Sequence, residues 1–132
     1  MTWHYQQTTG KMMDEHGYVW GIGYSGAGEG KNQPEFQQVH DVGPIPQGGY
    51  VIGAPHDSPE HGPYVLPLIP HAGTELYGRS AFLIHGDSVH VPGTASHGCI
   101  IMSRDVRNEI WRSGDHSLVV TSGLEEQQER IT

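Results

Sequence analysis

Glycine and proline interrupt this chain too often for long helices to form. Nineteen glycines and nine prolines are spread through 132 residues, and each one either loosens or fixes the backbone against a long regular element. The pattern predicts many tight turns joining short strands, with little helix. A chain of this length can bury roughly two-thirds of its unfolded surface, so its core requires no disulfide, metal or partner. We read residues 1–124 as one domain and the charged residues 125–132 as a frayed tail.

Strands are expected at Trp3 to Gln6, Lys11 to Asp14, Tyr18 to Tyr24, Tyr50 to Ala54, Tyr64 to Ile69, Ala81 to His85, Ile100 to Met102 and Ser117 to Thr121. Ser25 to about Asp41 and Pro55 to Pro63 read as loops, and Gly43 to Gly49 as a rigid turn. One helix is expected, capped by Ser103 and running from Arg104 to about Arg112, with Val106 and Ile110 on one face and Gly114 as its stop.

Seven Lys and Arg stand against fifteen Asp and Glu, a formal charge of −8. Such a surface opposes binding to nucleic acid or anionic membranes and suits a basic protein partner. The first residues lack the basic and apolar regions of a secretory signal, and no apolar run reaches the length of a membrane span. We expect a protein made in the cytoplasm without a signal peptide and not inserted in a membrane.

Gly21-Ile22-Gly23-Tyr24-Ser25-Gly26 matches a dinucleotide-binding fingerprint, but Ala27-Gly28-Glu29-Gly30 follows where the phosphate-binding helix should begin. A glycine-rich turn at a strand end is the better reading. His56, Asp57, His61 and His71 in loops, and His85, His90, His97 and Cys99 further on, raise the question of a metal. None of their spacings is that of a zinc site, and one cysteine cannot build a thiolate-rich one. No metal or other cofactor is expected.

The single cysteine, Cys99, stands in Ser96-His97-Gly98-Cys99, fourteen residues after His85. A free cysteine can be a small buried hydrophobe. It can also be a nucleophile, which needs a base or a positive neighbour to become a thiolate, and histidine supplies either.

Phe82-Leu83-Ile84-His85-Gly86, then Ser96-His97-Gly98-Cys99-Ile100-Ile101-Met102 and a capped helix, resembles the L,D-transpeptidase (YkuD-like) family. Trp3, Thr9-Gly10, Gly23-Tyr24-Ser25-Gly26, Asn32, Gly43-Pro44-Ile45-Pro46, Gly49-Tyr50 and Gly78-Arg79 are similar to the short L,D-transpeptidase-like toxins (Tlde type) of bacterial type VI secretion. The resemblance implies a mostly-β, L,D-transpeptidase-like sandwich or barrel with one short helix after the catalytic cysteine. It implies Cys99 as nucleophile and His85 as base, with the Gly86 carbonyl, or less directly Asp87, orienting the imidazole. His97 then supports the site, Ser96 braces the loop, and Gly98 lets it turn so that the Cys99 N–H and a neighbour can form an oxyanion hole. Arg79, Arg104 and Arg107 are the candidates for a substrate carboxylate, and Tyr24 is a further candidate contact. Relatives often carry arginine two residues after the cysteine; Ile101 stands there, which leaves that role open to Arg107. The short spacer from Asp87 to Ala95 implies a small lid, which would admit water and favour hydrolysis.

The implied activity is L,D-carboxypeptidase or L,D-transpeptidase action on peptidoglycan tetrapeptide stems, without a cofactor. The implied setting is secretion by a type VI machine into a target cell's periplasm, with a cognate immunity protein as partner. A housekeeping L,D-transpeptidase, a non-catalytic peptidoglycan-binding module and a zinc-dependent hydrolase are the alternatives.

Overall fold

Alternation of apolar side chains sets the core stripe by stripe. In a computed structural model, which describes residues 1–124, the strands β1 (Trp3–Gln6), β5 (Gly48–Ile52) and β10 (Ser117–Thr121) lie side by side. Their register brings Trp3, Leu118 and Tyr50 into one row and Tyr5 and Val120 into the next. All five are buried. Burying an aliphatic side chain of this kind contributes roughly 1.5–3 kcal/mol, so such rows hold the sheet together more than its hydrogen bonds do.

The other strands are β2 (Lys11–Met13), β3 (Val19–Ile22), β4 (Tyr24–Ser25), β6 (His56–Ser58), β7 (Gly62–Pro70), β8 (Leu83–His85) and β9 (Ile100–Ile101). They form a single mixed sheet in the order β3-β2-β1-β10-β5-β7-β8-β9-β4, with β6 paired to β7. The pairs β1–β10 and β8–β9 are parallel; the remaining pairs are antiparallel.

The two outermost strands, β3 and β4, are consecutive in the chain and separated by Gly23 alone. One bent segment therefore carries both edges, and the sheet curls toward a barrel. Gly10 and Gly23 make this seam possible. The Gly23 N–H donates to the Gly10 carbonyl at 2.8 Å, and a Cβ on Gly23 would overlap the Ile101 carbonyl oxygen. The mostly-β fold agrees with the sequence reading, as does the single α-helical element assigned among the described residues.

Helix α1 (Arg104–Arg112) begins as its sequence predicts, with the Ser103 hydroxyl accepting from the Val106 N–H at 3.3 Å. Val106 and Ile110 are buried against the sheet, and Gly114 ends the helix at φ +76°.

Several boundaries differ from expectation, four of them for a local reason. The strand expected over Tyr18 to Tyr24 divides at Gly23 to make the seam. Ala81, at φ +63°, delays β8 until Leu83. The expected loop from Ser25 contains 3₁₀ turns at Gly28–Gly30 and Pro34–Phe36. The loop expected over Pro55 to Pro63 is a β6–β7 hairpin, whose polar, irregular pairing (His56 with Val65, Ser58 with Gly62) leaves no alternation to read. The tail expected at 125–132 lies outside the described residues.

Candidate active site around Cys99 and His85

Ile84 and Ile100 pair across the parallel strands β8 and β9, and both point into the core with no exposure. The two-residue period then sends Leu83 and His85 to the opposite side of the sheet. Cys99, one position before Ile100, falls next to Leu83 on that side. The candidate nucleophile and the candidate base therefore share one side of the sheet, because two isoleucines anchor the strands between them.

The thiol is half-buried, with Sγ donating to the Ala81 carbonyl at 3.8 Å. Burial pushes its pKa up to about 11, against the pull of the Leu83 N–H and the Arg79 charge. The resting group is a neutral thiol. His85 is 3% exposed. Its Nδ1 lies 2.9 Å from the Gly86 carbonyl oxygen, which can only accept. The proton therefore sits on Nδ1, and Nε2 presents its lone pair. Burial holds the His85 pKa below the ordinary histidine value, against the Gly86 hydrogen bond, while the His61 and Arg107 charges lower it further.

Buried hydroxyls fasten the nucleophile loop. Ser96 Oγ donates to the Cys99 carbonyl at 2.6 Å and accepts from the N–H groups of Gly98 and Gly26 at 3.1 and 2.9 Å. Ser25 Oγ donates to the Gly98 carbonyl at 3.0 Å and accepts from the Ile45 N–H at 2.8 Å. The Gly98 N–H is thus spent on Ser96, so Gly98 gives the loop its shape and not an oxyanion donor. At φ +138° it also leaves space that a Cβ would take from the Arg79 guanidinium.

Arg79 lines the Cys99 cavity but does not offer its fork to a carboxylate. Nη1 donates to the carbonyls of Gln37 (2.5 Å) and Pro44 (2.8 Å), and Nη2 to those of Gly43 (2.9 Å) and His97 (3.4 Å). It is 4% exposed and lies over the Phe82 ring. Its role is to tie the 37–44 segment to the nucleophile loop and lend the thiol a positive charge. These four carbonyls already take the Nη donors that a direct Arg79–substrate ion pair would use.

Tyr24 is likewise occupied. Its hydroxyl donates to Asp87 Oδ1 at 2.5 Å and accepts from the Ala95 N–H at 2.9 Å, joining the two ends of the 87–95 lid. The Asp87 carboxylate also accepts from the N–H groups of Ser88 and Gly93. Lys31 stands over the Tyr24 ring and donates to the Gly93 carbonyl. Asp87 is a lid hub, and the Gly86 carbonyl is what orients His85.

Cys99 opens into a cavity of about 190 Å³, and His85 into an adjoining one of about 520 Å³. His61 and His97 line both. Among the described residues, no hydrogen bond joins Cys99 to His85 directly.

His61 also lines a third cavity, of about 640 Å³, beside α1. Its ring lies over that of His85, with centroids 4.5 Å apart and planes inclined by 32°. Nothing local announces this placement: Glu60-His61-Gly62 reads as a polar turn, and only the β6–β7 hairpin carries it to the site. Ser25 was equally hidden, inside a segment that reads as a glycine-rich turn.

His56, Asp57, His71 and His90 join neither Cys99 nor His85 in a ligand set. Among the described residues, no group of three or more His, Cys, Asp or Glu side chains is arranged to hold a metal ion. No helix there is long and apolar enough to cross a membrane.

A family model described as the Tlde1 domain matches residues 21–122. That span runs from β3 through β10, and so includes Cys99, His85 and every residue that fastens their loops. No curated protein and no solved structure matches the chain.

Proposed function

Because the chain belongs to the Tlde1 domain family, a family of type VI secretion L,D-transpeptidase-like effectors, we propose that it acts on peptidoglycan stem peptides through a Cys99 acyl-enzyme. The observation that carries this reading is a free thiol on a braced loop, on the same side of the sheet as a buried histidine whose Nδ1 is held by the Gly86 carbonyl.

Cys99 Sγ attacks the carbonyl at the L-centre of diaminopimelate in a tetrapeptide stem. His85 Nε2 takes the thiol proton during that attack, since both groups are neutral at rest. The carbonyl oxygen becomes an oxyanion stabilised by the Cys99 N–H and the nearby Arg79 charge. The C–N bond then breaks, His85 returns its proton to the departing amine, and terminal D-alanine leaves behind a thioester. Water, a free D-amino acid or another stem's amine resolves the thioester, with His85 again accepting the proton. Hydrolysis and exchange both deplete the donors that cell-wall cross-linking needs. The substrate lies in a target cell's periplasm, reached by type VI delivery, and a cognate immunity protein would guard the producer.

Mass analysis of stem peptides, with and without added D-amino acid, tests the reading. Wild type should release D-alanine, and Cys99→Ala should release none; equal release by the two would refute the cysteine mechanism. Equal binding of both proteins to cell-wall sacculi, with no product from either, would favour a binding module. The pH profile is a second measurement. The His85 pKa is held below 6.5 and only the neutral imidazole accepts a proton. The rate should therefore persist as pH falls through 6.5 and drop only at lower pH.

A further inference from the structure

The cavity beside α1 is more than an extension of the thiol's pocket. It lies between the start of α1, the β6–β7 hairpin and the base of the lid, with a volume of about 640 Å³. Ile22, Ile101 and Met102 give it an apolar wall. Arg104 and Arg107, three apart on the first turns of α1, supply its charge.

Arg107 is 6% exposed, yet its guanidinium is only partly satisfied. Nη1 donates to the carbonyls of Pro63 (2.9 Å) and Tyr64 (2.8 Å), and Nε to that of Ser103 (3.3 Å). Nη2 has no hydrogen-bond partner among the described residues. It lies over Gly86, where a Cβ would come within 2.9 Å of it, and both residues line the cavity. Nη2 is not among the buried side-chain atoms left without a partner, so this donor opens into the cavity, where a charged acceptor can reach it.

Arg104 adds to the imbalance. It is exposed and stacked on the Tyr64 ring at 4.4 Å, with no ion-pair partner among the described residues. Burial and the Arg104 charge both push the Arg107 pKa down, so the pair favours a negative neighbour. The acids at hand do not supply one. Asp87 lines the cavity, but its carboxylate is taken by Tyr24, Ser88 and Gly93; Asp105 is exposed on the first turn of α1. The N-terminal end of α1 adds a positive dipole end in the same place.

We propose that this cavity binds a carboxylate of the stem peptide, received by Arg107 Nη2, the Arg104 guanidinium and the first turn of α1. This rests on the peptide-stem reading above. The carboxylate is the side-chain one of diaminopimelate, not that of terminal D-alanine. The D-alanine carboxylate, one residue beyond the scissile bond, is assigned to the small cavity at Cys99, and the cavity beside α1, which shares His61 with it, takes the other carboxylate. A stem whose side-chain carboxylate is amidated would lose its charge-assisted contacts here and bind more weakly.

The test compares D-alanine release from free-carboxylate and amidated tetrapeptides. Wild type should show KM about 10- to 100-fold higher for the amidated stem, the loss expected for hydrogen bonds to a charged group, with kcat little changed. Arg104→Gln should erase most of that difference. Arg104 is exposed, so this variant carries the test even if Arg107→Gln fails to fold. Release from both stems with equal KM would overturn the subsite and leave the peptide-stem reading standing. Release from neither would overturn the peptide-stem reading. The subsite is then judged by calorimetry with the Cys99→Ala protein: a preference for the free carboxylate that Arg104→Gln abolishes upholds it, and no preference, or no binding, overturns it.

Discussion

Two consecutive stretches of the chain, the 87–95 lid and the 96–99 nucleophile loop, are fastened in opposite ways. The nucleophile loop is held from inside by Ser96, Ser25 and Arg79, all less than 5% exposed. Their donors and acceptors are used on backbone groups of that loop and its neighbours. The lid is held from outside by Tyr24, Asp87 and Lys31, while Val89 and Val91 stay exposed, Val89 at 88%. Water competes for the outer set and not for the inner one. The Cys99 thiol is therefore placed by bonds that are costly to break, and the cover over the cavities by bonds that open cheaply.

Three substitutions break or sharpen this contrast. Arg79→Ala should do the most damage, because it leaves several buried carbonyls short of a donor and removes the packing over Phe82. A loss of about 3 kcal/mol is expected, or a fall of roughly 10 °C in Tm by calorimetry. An unchanged Tm would show that the 37–44 segment does not depend on it. Ser96→Ala should cost about 1–3 kcal/mol, since the N–H groups of Gly98 and Gly26 lose their acceptor. It should also slow alkylation or acylation of Cys99 disproportionately, as the loop loses its shape. Tyr24→Phe is the matched loss of one hydroxyl from the outer set and should cost less than about 1 kcal/mol. Its effect should instead be faster hydrogen exchange across 87–95 and a larger share of hydrolysis over exchange. If Tyr24→Phe destabilised the protein as much as Ser96→Ala, the contrast would fail.

Legibility in the sequence follows the same division. The helix could be read in full, because Ser103, Val106, Ile110 and Gly114 act within a few residues of one another. Cys99 and His85 could be singled out as candidates because their motif is local, while their placement on one side of the sheet depends on the Ile84–Ile100 pairing. What could not be read was where distant side chains spend their hydrogen bonds. The burial of Arg79 and Arg107 cannot be seen until the carbonyls of residues 37–44 and 63–64 are placed beside them. His61 reaches His85 only through a hairpin with no clear alternation. Tyr24 reads as part of a glycine-rich turn, and its link to Asp87 spans sixty-three residues.

The position of β10 has a consequence for how the molecule comes together in time. The last strand of the ten lies between β1 and β5, joining the amino-terminal hairpin to the half of the sheet that carries Cys99 and His85. Until residues 117–121 are present, those halves lack their shared strand. The sheet must then close through contacts between remote parts of the chain, a slow route compared with helical packing. A nascent chain that has already made its cysteine still waits for this strand before the barrel can shut around it.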